Sequence, residues 1–250
     1  MSLLAKMLNP DYIKNHTKII ILVLLLYSLG LLSGFMFLVF LFTGSYTVVD
    51  FGLRTREALL LDGFLSLIFF LQHSIMVRRG FKKWLGKFMP EMYHAACYGM
   101  ASAITLLMVL IFWQKTSILA AHAEGMVFAL MRALFLLCLT GFFWAVKSID
   151  SLDVLGVDVL MGRKPDKPQK IVARGPYRWS RHPIYLFVII LIWACPVLTL
   201  DRLIFNILWS LWILIGTFLE DRDLHKEFGS QYLEYSSRVP MLIPYRIPKK

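Results

Sequence analysis

The chain has 250 residues, 58% of them hydrophobic, and a mean hydropathy of +0.64. A soluble domain is roughly 45–50% apolar, so this composition excludes one and gives a polytopic membrane protein whose length suits one helical domain. The net charge of +11 comes from basic residues flanking apolar runs, which serves orientation and anionic lipid headgroups rather than nucleic acid, for which no recognition motif is present.

Cys97, Cys138 and Cys195 fall inside apolar runs without CxxC or metal spacing, so they read as packing residues, with neither a disulfide framework nor a metal site expected. No cleavable leader is expected: the apolar run after Lys18 exceeds the roughly 7–15 residues of a signal core.

Residues 1–17 form a polar, basic lead-in at the interface. The run 19–42 is long enough to span, which takes roughly 20 apolar residues. Gly30 and Gly34, with Ser33 between them, read equally as a close-packing face or as glycines tolerated in a membrane helix. A short loop with Arg54 and Arg56 leads to a second span, about 58–77, with Asp62 near its start and Gln72, His73 and Ser74 near its end. An ionisable group inside a membrane is costly and points to function. His73 also lies close enough to Arg78 to sit at the interface, and both readings stand. The segment 78–91 is basic, with Trp84 as an aromatic anchor. A third span, about 92–113, ends in Trp113; a loop whose one Lys or Arg is Lys115 leads to the fourth, about 126–146, which carries Arg132.

The polar segment 147–183 follows, and loops of such length are often functional. Spans 184–200 and 203–219, joined at Asp201-Arg202, form a tight helical hairpin, in which Pro196 either bends the first arm or stops it. Six spans put both termini on one side. The N-terminus, 78–91, 147–183 and 220–250 hold nearly all the Lys and Arg, which places both termini, the long loop and the tail in the cytoplasm, a bacterial inner membrane being the expected location. The expected fold is an all-α polytopic membrane helical bundle of about six spans. A four-helix region over 1–146 joins a core over 147–250, made of the long loop, the helical hairpin 184–219 and the tail, in one integrated domain.

Gly175–Tyr185 and Glu220–Asp223 then face the same side, at the two ends of the hairpin. Gly175-Pro176 is a turn, Pro183 suits a first helical turn, and Arg181 and His182 flank a helix N-terminus, which favours anions. Glu220 follows Phe218-Leu219 at the membrane boundary and needs a partner: Arg181, Arg222 or a cationic ligand. A ligand with a carboxylate, an amine and a sulfonium fits this set. Arg181 and His182 suit the carboxylate and Glu220 or Asp221 the amine. Tyr177, Trp179, Tyr185, Tyr232 or Tyr235 can stack on an adenine or face the sulfonium through a cation–π contact. S-adenosylmethionine has all those groups. A snorkelling basic belt with interfacial aromatics and a structural ion pair accounts for the same residues equally well.

Arg181-His182-Pro183-Ile184-Tyr185, then a hydrophobic hairpin, Glu220-Asp221-Arg222-Asp223-Leu224, Phe228-Gly229, Tyr232, Tyr235 and Val239-Pro240 through Ile243-Pro244, resembles the isoprenylcysteine carboxyl methyltransferase superfamily over about residues 171–244. The run Leu71–Met76, Phe81-Lys82-Lys83-Trp84, Phe112-Trp113-Gln114 and Trp193–Thr199 are similar to the nurim-like branch with the methanethiol S-methyltransferases. There are departures: Glu220-Asp221 stands for the usual Glu-Glu, Phe187 for a Gly, which is expected to narrow the hairpin or its cavity, and Ser151 and Asp158 for a His and an Arg.

The resemblance implies an S-adenosylmethionine-dependent methyltransferase in which His182, Tyr185, Glu220 and Asp221 bind the cofactor, with Tyr177, Tyr232 and Tyr235 beside it. The favoured acceptor is a small apolar thiol, methanethiol being the nearest match; a prenylcysteine-like carboxylate, an amine lipid or a non-enzymatic membrane scaffold are the alternatives. A thiol reacts as its thiolate. Arg181 and Arg222 are expected to stabilise it, Glu220 is a base only if the cofactor leaves it free, and His73 is a remote candidate base if the second span faces the site.

Overall fold

The computed structural model describes residues 10–149, 157–160, 171 and 173–246. Helix α1 (Pro10–Thr43) is followed by α2 (Thr55–Met76), the short α3 (Arg79–Leu85), a 3-10 turn over Glu91–Tyr93 and α4 (His94–Phe112). Strand β1 (Leu119–His122) leads to α5 (Gly125–Lys147) and the short α6 (Val157–Leu160). A 3-10 turn over Gly175–Arg178, α7 (Pro183–Trp193), strand β2 (Val197–Thr199), α8 (Leu200–Phe228) and α9 (Ser230–Arg238) complete the order. Asp158 belongs to α6, and Ser151 lies outside the described residues.

The architecture is an all-α membrane bundle. Among the described residues, α1, α2, α4, α5 and α8 are long and apolar enough to cross a membrane. The expected fifth span differs. Helix α7 has 11 residues, about 16 Å at 1.5 Å per residue, short of a hydrocarbon core of about 30 Å. It stops at Trp193, and the chain bends at Pro196 into β2, where the Pro196 carbonyl accepts from Ala123 N at 2.8 Å. Strand β2 pairs antiparallel with β1, Leu119 opposite Thr199 and Ala121 opposite Leu198. A hydropathy reading cannot separate a full helix from a short helix plus an apolar extended run, because both are continuous apolar sequence.

The Asp201-Arg202 joint is a second difference. Both residues lie inside the first turn of α8 and are fully buried. Asp201 accepts from Trp113 Nε1 (3.0 Å) and from Thr116 N and Oγ1 (2.9 Å each), fixing the segment after α4. Arg202 donates to the carbonyls of Phe40 (3.1 Å) and Ile192 (3.2 Å), between the rings of Phe40 and Phe205. Asp62 does similar work, accepting from Gln114 N at 2.9 Å. These polar clamps surround the densest part of the core, where Phe40, Trp113, Phe205 and Trp209 pack with Leu110 and Ile192.

The clamps and the β1–β2 pair mark one end of the bundle. The other end gathers the C-termini of α2 and α8 and the N-termini of α4 and α7. Helix α8 does not stop at the acidic cluster but continues to Phe228, where Gly229 at φ +54° takes the left-handed conformation that glycine adopts without steric cost. Helix α2 is tied to that end of α8 by Trp212 Nε1 donating to Ser74 Oγ (3.1 Å) and by the Arg78–Asp223 ion pair (3.1 Å).

Candidate active site

Two consecutive carboxylates near the end of α8 divide the work. Asp221 is a saturated hub. Arg181 donates to it through Nε and Nη2, both at 2.9 Å, a bidentate arrangement. Tyr232 Oη donates to Oδ1 at 2.5 Å, and His182 Nε2 lies 3.1 Å from the same oxygen. The remaining arginine nitrogen, Nη1, donates to the carbonyls of Ser236 (3.1 Å) and Val239 (2.9 Å), the open C-terminal end of α9. Arg181 therefore staples α8, α9 and the segment before α7 together, and its guanidinium is engaged by protein rather than turned to a ligand.

The tail completes the staple. Arg181 N donates to Pro240 O (2.9 Å) and His182 N to Met241 O (3.1 Å), so residues 240–241 pair with the backbone just before α7. His182 is buried, its ring parallel to that of Tyr185 at 5.8 Å. On the other side, Tyr235 Oη donates to Tyr177 O at 2.6 Å and fixes the 3-10 turn. Gly175 starts this turn at φ +55°, against the end of α5, where a Cβ would meet Ser148 Oγ at 2.4 Å.

Glu220 has the opposite character. It is exposed, and the Tyr185 hydroxyl donates to it. Tyr177 and Tyr98 lie within electrostatic reach of the same pair. Burial, then the Glu220 charge, hold the Tyr177 phenol above its ordinary range. Burial likewise raises Tyr235, and burial plus the bond to Asp221 raises Tyr232, so all three phenols stay protonated donors.

The residues singled out in the sequence thus separate into three groups. Glu220, Tyr185, Tyr177 and His182 come together at one mouth. Asp221, Arg181, Tyr232 and Tyr235 form the scaffold behind it. Arg222 belongs to neither: two residues beyond Glu220 it is turned about 200° around the helix, and it is exposed with no hydrogen bond or ion pair among the described residues. Phe187, expected to narrow the hairpin, has its ring over Gly141 on α5.

Sequence reasoning missed the floor of the site. Trp212, Gly216 and Glu220 are spaced by four and therefore share one face of α8. Its own stretch of helix aside, none of the described residues comes within 4 Å of where a Gly216 Cβ would sit. Trp209, buried and seven residues earlier, places that face inside the bundle, so the opening is internal. Below it, Trp212 contacts the His73 ring at 5.3 Å. The i, i+4, i+8 spacing on α8 was a readable signal; the pairing with α2 was not.

The phospholipid methyltransferase family matches residues 126–231, which hold α5, α7, α8 and both carboxylates. Methanethiol S-methyltransferase of Pseudomonas deceptionensis is 34% identical over 191 residues, 75% of this chain and 73% of that protein. The chain belongs to the methanethiol S-methyltransferase family. Methanethiol S-methyltransferase 1 of Bradyrhizobium diazoefficiens is 31% identical over 238 residues, 91% of this chain and 79% of that protein. Nurim of Rattus norvegicus is more distant, 22% identical over 172 residues, 64% of this chain and 65% of that protein. No solved structure matches the chain. As a member of this family, the chain is an integral-membrane methyltransferase.

Proposed function

We propose that the mouth around Glu220 takes S-adenosylmethionine and that the enzyme passes its methyl group to a small apolar thiol, methanethiol being the nearest match. The observation that carries this is the contrast between the adjacent carboxylates. Asp221 is consumed by protein contacts, whereas Glu220 faces outward with a phenol as its partner. A carboxylate so placed suits an amine. The faces of Tyr177 and Tyr185 suit a sulfonium by cation–π attraction, and the His182 imidazole is beside them for a ligand carboxylate. The donor set fits the cofactor without Arg181, whose donors are occupied, and without Arg222, which points elsewhere.

When bound, the cofactor supplies a methyl group already activated on a sulfonium. The protein then has to align and desolvate. Tyr185 orients Glu220 by its hydrogen bond. The Arg181–Asp221 staple and the tail at 240–241 hold α7 and α8 at a fixed separation, so the donor methyl and the acceptor meet in line. The apolar walls below Glu220 exclude water. Residues 147–250 act as the methyltransferase core on a four-helix N-terminal region. The basic residues at 78–91 and in the tail support a cytoplasmic position for this end of the bundle, in a bacterial inner membrane.

Headspace detection of dimethyl sulfide from methanethiol plus S-adenosylmethionine, with purified protein, tests the proposal, alongside equilibrium binding of labelled cofactor. Product and binding are expected from the wild type, and Glu220→Gln should lose binding. Binding without dimethyl sulfide, together with turnover of a larger carboxylate or amine acceptor, would move the assignment to that acceptor. No binding would sink it.

A further inference from the structure

Between the membrane helices, His73 of α2 and Tyr98 of α4 head a small polar cluster with Ser102, Gln72 and Thr105. The Tyr98 hydroxyl is 2.8 Å from His73 Nε2 and 3.1 Å from Nδ1, and Ser102 Oγ is 3.4 Å from Nδ1. The His73 ring is packed by Phe69 (5.4 Å) and Trp212 (5.3 Å). Among the described residues no carboxylate contacts it. Trp212 joins His73 to the face of α8 that carries Gly216 and, one turn further on, Glu220 with its partner Tyr185. Tyr98 reaches electrostatically to Tyr185 across the same space. A phenol backed by an imidazole therefore lies on the side of the bundle where Tyr185 meets Glu220.

We propose that Tyr98 and His73 take the proton from the thiol, Tyr98 as the group in contact and His73 as the final acceptor. This rests on the methyl-transfer function proposed above. The acceptor sulfur forms its bond to the methyl carbon as that carbon's bond to the sulfonium sulfur breaks, and the bonding pair stays on the departing sulfur. The thiol proton goes to Tyr98 Oη as the Tyr98 proton goes to His73. The products are two neutral thioethers and an imidazolium, so atoms and charge balance. His73 lies five residues before Arg78 at the end of α2, so the imidazolium is close to the interface where its proton can leave. Glu220 is then free to hold the cofactor rather than to act as base.

The test compares two acceptors of similar size, ethanethiol and trifluoroethanethiol, at a mildly alkaline pH where the second, far more acidic, is largely ionised and the first is not. A positioned base contributes about 100-fold or more where a proton must be removed. Tyr98→Phe and His73→Gln should each lower turnover of ethanethiol by about 100-fold and of trifluoroethanethiol by less than about 5-fold, and the double variant should lose no more than either single one. Labelled S-adenosylmethionine should bind all variants as tightly as the wild type, which shows that they are folded. Equal losses on both thiols, or no loss on either, would overturn the proton-transfer role while leaving the cofactor site intact. A wild type that binds the cofactor but methylates neither thiol would instead overturn the thiol acceptor and this role with it.

Discussion

The ring of Phe187 on α7 occupies the space that a side chain at Gly141 on α5 would need. A Cβ built on Gly141 would lie 2.6 Å from two ring carbons of Phe187. The pair is a large-for-small fit that sets how closely α5 and α7 approach. Gly141→Ala should destabilise the protein by about 1–3 kcal/mol through overpacking. Phe187→Ala alone should open a gap. The double variant should recover part of the Gly141→Ala loss, because the clash has lost its partner. Heat-induced aggregation of the detergent-solubilised protein measures this; additive losses in the double variant would refute the contact.

Arg181 and Glu220 should separate stability from binding. Arg181→Lys keeps the charge but cannot make the bidentate pair with Asp221 and also bond the α9 carbonyls. Breaking a largely buried pair is expected to cost about 3 kcal/mol. The variant should therefore inactivate at lower temperature. Glu220→Gln, at an exposed position, should leave thermal inactivation unchanged and weaken cofactor binding. Thermal inactivation and labelled-cofactor binding, measured on both variants, would contradict this division if Glu220→Gln were the less heat-stable of the two.

Hydropathy made the long spans legible, because period and length of an apolar run are local properties. It also made the juxtaposition of Tyr185 with Glu220 legible, since topology alone brings the two ends of the α7–α8 pair together. What stayed hidden depends on partners distant in the chain. Asp201-Arg202 reads as a surface turn, yet it is buried because Trp113, Thr116 and two helix-end carbonyls satisfy it. Arg181 reads as a ligand cation until the carbonyls of Ser236 and Val239 are seen to claim it. His73 reads equally as interfacial or functional in the sequence; its partners Tyr98 and Trp212 lie on other helices and are visible only in the structure.

The open face at Gly216 should be sensitive to size. Leu at this position favours the helix over Gly by roughly 1 kcal/mol, so Gly216→Leu should not unfold α8. It should fill the space between Trp212 and Glu220 and displace the acceptor. A misplacement of about 1 Å can cost about 100-fold in rate. Turnover of methanethiol should fall by about that factor in Gly216→Leu and less in Gly216→Ala, with cofactor affinity kept. Wild-type turnover in Gly216→Leu would show that the acceptor does not pass this face.

Asp201 offers a test at the end of the bundle remote from the site. Its two oxygens receive Trp113 Nε1, Thr116 N and Thr116 Oγ1, and it sits next to the buried Arg202. Asp201→Ala would orphan these donors and leave Arg202 without its neighbouring counter-charge. Each buried donor left without its acceptor costs about 1–3 kcal/mol, and the loss of all of them is comparable to much of the stability of a whole domain. The variant should yield little monodisperse protein. Asp201→Asn keeps an oxygen for Thr116 but turns its amide toward Trp113 Nε1, donor against donor, and should give folded protein with lower heat stability. Size-exclusion yield and heat-induced aggregation distinguish the two. Normal yield for Asp201→Ala would mean that Arg202 is satisfied by the Phe40 and Ile192 carbonyls alone, and that the carboxylate is not what anchors the start of α8.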